Sequence, residues 1–178
     1  MLSRSSLVKR ARHIRLLVLD VDGVLTDGQL LYGPNGEALT RFHIHDGLAL
    51  AAWRKMGLSL AALSGRRSGA VAHRLAEFGI EVVYQGVSRK LKMYRTILSR
   101  FHCLDQGAAV MGDDLTGLPL FLRAGLAIAP ANAVPEVRAQ ADMVTRREGG
   151  KGAVREAVEM ILHAQGRWAG LVQEYREG

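Results

Sequence analysis

The chain has 178 residues, of which 48% are apolar and 23% charged, so a disordered or collagen-like protein is excluded. At about 100–200 residues per domain, this length predicts one globular domain. A single cysteine, Cys103, excludes an internal disulfide framework. Five of the +7 net charges come from basic residues near the start of the chain, with no acid among them: Arg4, Lys9, Arg10, Arg12 and Arg15. We therefore expect a basic, frayed N-terminal arm over residues 1–13 and no nucleic-acid partner.

The first fifteen residues are basic but lack the continuous apolar core of a secretory signal. No apolar run reaches the length of a membrane-spanning helix. We therefore expect a cytoplasmic protein that does not bind a membrane.

Strand and helix signals alternate along the chain. An apolar run at 14–19 ends in Asp20 and predicts a strand buried on both faces. Residues 26–44 contain two extended arms around Gly33-Pro34-Asn35-Gly36, which predicts a β-hairpin. The remaining pattern predicts helices over 48–56, 68–78, 89–101 (capped by Ser88), 118–124 and 153–164, and strands over 58–63, 80–84, 108–111, 126–129 and 143–145.

This alternation predicts an α/β fold, in which helices cover both faces of a mostly parallel sheet. The fold is Rossmann-like, with the hairpin as a flap and no length of chain left over for a cap domain. The folded domain is predicted over residues 14–165, followed by a C-terminal tail over 166–178.

Reactive side chains follow several of the predicted strands. Open α/β sheets bind ligands beyond the carboxyl ends of their strands. Asp20 and Asp22 follow the first strand, Ser64 follows the second, and Asp113 follows the fourth. Lys90 begins the helix after the third strand. We therefore expect these five residues to meet at one edge of the sheet.

Such a set suits phosphoryl transfer. Asp20 can attack phosphorus and hold it as an aspartyl-phosphate, while Asp22 can protonate the leaving oxygen and then activate water. Asp20 and Asp113, with a backbone carbonyl, form the all-oxygen ligand set that Mg²⁺ prefers. Ser64 and Lys90 can donate hydrogen bonds to the oxygens of the transferring phosphoryl group.

Each segment also has a plainer interpretation. Asp20-Val21-Asp22-Gly23 could be a calcium loop, although its glycine is fourth and not sixth. Ser64 could lie in an ordinary strand-to-helix turn, and Lys90 could be a solvated helix charge. For the chain as a whole, the alternative class is a non-catalytic phospho-acceptor or binding module, because such modules also carry an aspartate at a strand end.

The sequence resembles the capless branch of the haloacid dehalogenase superfamily, the branch typified by phosphatases of 3-deoxy-D-manno-octulosonate 8-phosphate. The resemblance covers about residues 14–165. The segments that carry it are 19–28 (LDVDGVLTDG), 42–47 (FHIHDG), 64–66 (SGR), 84–86 (YQG), 90–91 (KL), 112–115 (GDDL) and 149–156 (GGKGAVRE).

The resemblance implies a role for each matching position. Asp20 is implied as nucleophile and metal ligand, Asp22 as acid/base and as a metal ligand through its carbonyl, and Asp113 as the other ligand of Mg²⁺. Ser64 and Lys90 are implied to hold the phosphoryl group. The substrate-binding residues implied are Asp22, His43, Ile44, His45, Asp46, Gly47, Arg66, Arg74 and Lys90. A homotetramer and a role in lipopolysaccharide biosynthesis are implied as well.

Three positions depart from the family pattern. The family commonly has arginine where this chain has His45 and Ala51, and aspartate where it has Gly117. A phosphatase for a nine-carbon sugar-acid phosphate is therefore an alternative. Arg66 favours the eight-carbon acid, because a cation there can pair with the substrate carboxylate.

Without a cap domain, the expected site lies open to water. Phosphoryl transfer needs the substrate clamped and water controlled. We therefore expect a neighbouring subunit to cover the site with its hairpin or its terminal segment, and the apolar hairpin residues Leu30, Leu31 and Tyr32 fit such an interface. A hairpin folded back on its own domain is the alternative.

Overall fold

A computed structural model describes residues 2–34 and 36–178 of the chain. Its strands are β1 (Leu16–Leu19), β2 (Leu31–Gly33), β3 (Gly36–Leu39), β4 (Ser59–Leu63), β5 (Val82–Tyr84), β6 (Ala108–Met111), β7 (Leu126–Ala129) and β8 (Met143–Val144). Six of them form one parallel sheet in the order β5-β4-β1-β6-β7-β8. The predicted parallel α/β fold is confirmed, with β1 near the middle of the sheet.

Helices pack on both faces of the sheet. They are α1 (Arg4–Ala11), α2 (Ile44–Lys55), α3 (Gly69–Glu77), α4 (Lys90–Arg100), α5 (Leu118–Phe121), α6 (Pro135–Gln140), α7 (Ala153–Ala164) and α8 (Trp168–Glu177). One apolar core joins the sheet to α1, α2, α3, α7 and α8, and a second joins it to α4, α5 and α6. Strand β1 is buried on both faces because Leu17 and Leu19 enter the first core while Leu16 and Val18 enter the second.

Strands β2 and β3 form the predicted hairpin as a separate antiparallel pair. An antiparallel bridge between Thr26 and Phe42 closes its base. Asn35, which we placed in its turn, lies outside the described residues. Leu30, Leu31, Tyr32 and Leu39 on the hairpin are exposed.

The N-terminal arm differs from its predicted form. Residues 4–11 form a helix and not a frayed segment, because Ser3 caps α1 and the buried Ala11 packs into the first core. Arg10 forms an ion pair with Asp142, which directly precedes β8, and this pair holds the arm against that end of the sheet. Arg4, Lys9 and Arg10 of the arm thus lie on a packed helix.

Three further differences concern helix limits. Helix α2 begins at Ile44, four residues before the predicted start, because His43 acts as its N-cap. Arg89, and not Ser88, occupies the N-cap position of α4, without a side-chain capping bond. Helices α6 and α8 were not predicted at all. Within residues 2–34 and 36–178, no helix has both the length and the apolar character needed to cross a bilayer.

Candidate active site

Asp20 and Lys90 form a nearly buried ion pair at the carboxyl end of the sheet. Asp20 directly follows β1, and Lys90 is the first residue of α4. The Lys90 Nζ donates to Asp20 Oδ2, and the two side chains are only 7% and 11% exposed. The other carboxylate oxygen, Oδ1, accepts from the Val21 N–H at 2.8 Å. Burial raises the pKa of Asp20 above its ordinary value, while the Lys90 ammonium and the Val21 N–H oppose part of that rise.

Asp22, Ser64 and Arg66 form a second polar group beside this pair. The Ser64 Oγ donates to Asp22 Oδ2 at 3.3 Å, and the Arg66 Nη1 donates to Asp22 Oδ1 at 2.8 Å. The turn after β4 is held by the Ser64 Oγ, which accepts from the Arg66 N–H at 3.1 Å. Ser64 therefore stabilises the turn and also contacts Asp22. A structural role in the turn and a role in the site are thus compatible for this residue.

Asp113 brings a second, half-buried carboxylate towards Asp20. Burial, followed by the negative charge of Asp20, raises the pKa of Asp113 to about 7. Gly23 lies against it with a φ of +76°, and a Cβ on Gly23 would stand 1.9 Å from the Asp113 Oδ2. Only glycine fits this position, because both the backbone conformation and the space exclude a side chain. The glycine of the Asp-x-Asp-Gly segment thus lets two acidic loops approach each other.

Two residues that the sequence analysis did not single out hold these loops in place. The buried Thr26 Oγ1 accepts from the N–H groups of Gly23 and Gly28, at 3.2 Å each. Asn132 donates to the Gly23 carbonyl at 3.3 Å and accepts from the Gly149 N–H at 2.7 Å. Asn132 follows β7, so a polar residue at another strand end was the signal that could have identified it.

The carboxylates at this edge suit a divalent cation. Among the described residues, no three His, Cys, Asp or Glu side chains lie close enough to form a metal site by themselves. Asp20 and Asp113 nevertheless provide two carboxylates at this edge, and the pKa of Asp113 is raised first by burial and then by repulsion from the charge of Asp20. A hard cation would relieve that repulsion, and Mg²⁺ commonly uses one or two carboxylates with water and substrate oxygens. The donor set therefore fits Mg²⁺.

The predicted substrate-binding residues fall into three groups. Asp22, Arg66 and Lys90 contact one another or Asp20, as described above. Asp46 instead is 1% exposed and accepts from the N–H groups of Gly152 and Arg155, so it caps α7. Gly47 lies against the Phe78 ring. Arg74 pairs with Glu77 and stacks on the same ring.

His43, His45 and Ile44 lie at the start of α2. The two imidazole rings are 4.9 Å apart, and both line a cleft of about 510 Å³ with Arg146, Arg147 and Lys151. Ile44 is exposed to solvent. The loop that supplies the basic residues also contacts the Asp20 loop, since a Cβ on Gly149 would stand 1.8 Å from the Gly23 carbonyl oxygen. The cleft therefore adjoins the carboxylate cluster through a shared loop.

A parallel α/β sheet whose central strand ends in an aspartate paired with lysine is the arrangement expected of an enzyme that binds a phosphorylated ligand beyond the carboxyl ends of its strands. Residues 59–157 match the family model of the haloacid dehalogenase-like hydrolases. The chain belongs to this family.

Known relatives resemble the chain over most of its length. It is 40% identical over 163 residues to the 3-deoxy-D-manno-octulosonate 8-phosphate phosphatase KdsC of Escherichia coli K12, covering 92% of this chain and 87% of the relative. The crystal structure of the corresponding Yersinia pestis phosphatase superposes with a TM-score of 0.91 at 39% identity, covering 93% and 89% of the two chains. A Moraxella catarrhalis phosphatase of this type, solved with magnesium, phosphate and KDO, superposes with a TM-score of 0.94 at 35% identity, covering 97% and 99%.

Proposed function

We propose that the chain is a magnesium-dependent phosphomonoesterase that hydrolyses 3-deoxy-D-manno-octulosonate 8-phosphate to Kdo and inorganic phosphate. The observation that carries this proposal is the nearly buried Asp20–Lys90 pair beside Asp113, in a chain 40% identical to a phosphatase of that compound. The reaction belongs to lipopolysaccharide biosynthesis, and we place it in the cytoplasm.

In the first step, an Asp20 oxygen attacks phosphorus. The bond from phosphorus to the substrate C8 oxygen breaks as the aspartyl-phosphate bond forms, and Asp22 gives its proton to the leaving oxygen. Lys90, already at Asp20, donates to the phosphoryl oxygens together with Ser64. Magnesium, held by Asp20, Asp113 and the Asp22 carbonyl, would neutralise negative charge on the phosphoryl group.

In the second step, Asp22 takes a proton from water, and the water oxygen attacks phosphorus. The aspartyl-phosphate bond breaks, inorganic phosphate forms, and Asp20 is regenerated as a carboxylate. Asp22 is then protonated and ready for the next substrate. Its position two residues after Asp20 and in contact with Ser64 supports both roles.

The two alternatives have less support. A phosphatase for a nine-carbon sugar-acid phosphate shares the same chemistry, and Arg66 beside Asp22 favours the eight-carbon acid. A non-catalytic phospho-acceptor does not need an acid/base at Asp22. The contact of Asp22 with both Ser64 and Arg66 supports a catalytic site.

We place the enzyme in a homotetramer in which a neighbouring subunit covers the site. The hairpin is the insertion nearest to this edge in the part of the chain that the structure describes. Tyr32 and Leu39 on the hairpin are each 67% exposed, and Ile44 at the start of α2 is 74% exposed. Exposed apolar side chains of this kind are typical of a protein interface.

The test is phosphate release from a panel of sugar phosphates with magnesium present. We expect the octulosonate 8-phosphate to have the highest kcat/KM, above nine-carbon acid phosphates. Asp20→Asn should lower the rate by at least about 10³-fold, because the nucleophile is lost. Asp142→Asn is the matched control, since Asp142 pairs with Arg10 at the opposite edge of the sheet. Full activity of Asp20→Asn, or a preference for a nine-carbon acid, would contradict the proposal.

A further inference from the structure

Both carboxylate oxygens of Asp22 lie within hydrogen-bond distance of a donor, although the Ser64 hydroxyl also lies 3.2 Å from the Arg66 carbonyl. The Arg66 Nη1 donates to Oδ1 at 2.8 Å, and the Ser64 Oγ donates to Oδ2 at 3.3 Å. The Asp22 and Arg66 side chains are 27% and 31% exposed, so an incoming ligand can reach both. The residue assigned to protonate the leaving oxygen is therefore held by other partners before substrate arrives.

The Arg66 backbone is fixed while its side chain reaches across the site. Its N–H donates to the Ser64 Oγ at 3.1 Å, and its carbonyl accepts from the Gly86 N–H at 3.0 Å. A change of partner by the guanidinium therefore requires only side-chain rotation. Such a rotation would free the Asp22 Oδ1 without moving the turn.

We propose that Arg66 acts as a gate on Asp22: it holds the Asp22 carboxylate until a carboxylate of the substrate binds the guanidinium instead. Recognition of the substrate carboxylate and release of the acid/base are then one event. The inference rests on the proposed function, which supplies a substrate with phosphate at C8 and a carboxylate at C1. When that carboxylate takes the guanidinium, one arginine–carboxylate pair replaces another, and Asp22 becomes free to reach the leaving oxygen. A phosphate ester without a carboxylate offers no such partner in exchange for the Arg66–Asp22 pair.

This arrangement affects transition-state binding as well as ground-state binding. An arginine that only held the substrate would improve binding of that substrate and would not change kcat/KM for other esters. An arginine that also restrains Asp22 slows every ester that cannot displace it and whose leaving oxygen needs a proton. Removal of Arg66 should therefore lower kcat/KM for the octulosonate and raise it for a carboxylate-free alkyl ester.

The experiment compares kcat/KM for three substrates, since kcat/KM reports on steps up to departure of the leaving group. Arg66→Ala should lower kcat/KM at least about tenfold for the octulosonate 8-phosphate, through loss of a charged partner. It should raise kcat/KM severalfold for D-arabinose 5-phosphate, which has an alkyl leaving group and no carboxylate. It should leave kcat/KM for 4-nitrophenyl phosphate unchanged, because nitrophenolate departs without needing a proton from Asp22.

Arg67→Ala is the matched control, because Arg67 packs against Gly86. It should leave all three values unchanged. Arg66→Gln, which keeps most of the side-chain volume, should reproduce the pattern of Arg66→Ala if the alanine variant does not fold. An equal fall on all substrates, or an unchanged arabinose 5-phosphate value in a folded Arg66 variant, would overturn the gate.

The wild-type enzyme provides a second measurement. Acetate, at constant ionic strength, should raise kcat/KM for arabinose 5-phosphate and should not do so in Arg66→Ala. Absence of activation would also overturn the gate. Failure of the proposed function would be visible separately, as a wild-type enzyme that does not prefer the octulosonate. Failure of the gate would leave that wild-type preference intact.

Discussion

Asp113 illustrates how two carboxylates can be kept together inside a protein. Its carboxyl group is half-buried and lies near the charge of Asp20, and together burial and this charge raise its pKa to about 7. Lys90 neutralises Asp20 but does not contact Asp113 directly in any hydrogen bond that the structure shows. The carboxyl pair therefore has one cation for two acids, and a divalent ion would supply the missing charge.

At the residue scale, we predict that Asp113→Asn weakens magnesium binding by more than about tenfold, since even the outer partners of metal ligands contribute about 10–100-fold. The substitution removes one of two carboxylate donors and keeps the side-chain volume. Isothermal titration with magnesium chloride measures this without relying on catalysis. The control Asp142→Asn should bind magnesium as the wild type does. Equal affinity in Asp113→Asn would remove Asp113 from the ligand set.

At the element scale, α2 and α7 are joined through one buried acid. Asp46 in the first turn of α2 accepts from the Gly152 N–H at 3.3 Å and from the Arg155 N–H at 2.7 Å. These N–H groups belong to the start of α7, which Gly152 precedes without a side-chain cap. An acid from a neighbouring helix thus satisfies the free N–H groups and the positive end of α7.

We expect Asp46→Ala to lower the free energy of unfolding by about 1–2 kcal/mol, the cost of losing a helix cap. For a chain of this size, that corresponds to a fall in Tm of roughly 2–8 °C. Asp46→Asn keeps one acceptor oxygen, so its free energy of unfolding should fall by less. Glu148→Ala, which removes the exposed pair with Lys151, is the control and should change stability by less than about 0.5 kcal/mol. A thermal scan of the three variants measures this, and an unchanged Tm in Asp46→Ala would refute the capping role.

At the scale of the whole molecule, the carboxylate cluster lies at an edge of the sheet that no second domain covers among the described residues. The hairpin and the start of α2 present apolar side chains to solvent instead. Because a lone domain rarely keeps such residues exposed, a further copy of the chain is the cover that we propose.

We predict that Tyr32→Ser combined with Leu39→Ser reduces the assembly to smaller species and lowers kcat/KM by about tenfold or more, as loss of substrate positioning does. Light scattering gives the mass, and phosphate release gives the rate. Leu104→Ser is the control, because Leu104 is 77% exposed and precedes β6 at the opposite edge. A variant that remains tetrameric, or a fully active monomer, would contradict this role of the hairpin.

The sequence alone determined the order of the strands and of helices α2, α3, α4, α5 and α7, the parallel sheet and the hairpin. These features follow from local periodicity and turn residues, which need no knowledge of distant partners. It also placed Asp20, Ser64 and Asp113 at strand ends, since parallel strands present their carboxyl ends to one edge.

Tertiary structure decided which of these side chains touch. The Asp22–Arg66 pair, the Asp46 cap on α7 and the Asn132 bridge join residues that are 44, 109 and 109 positions apart, respectively. Helix α1 likewise forms because Ala11 finds a core built by later segments. Local sequence cannot specify such contacts, because each depends on packing and side-chain rotamers that exist only once distant segments have met.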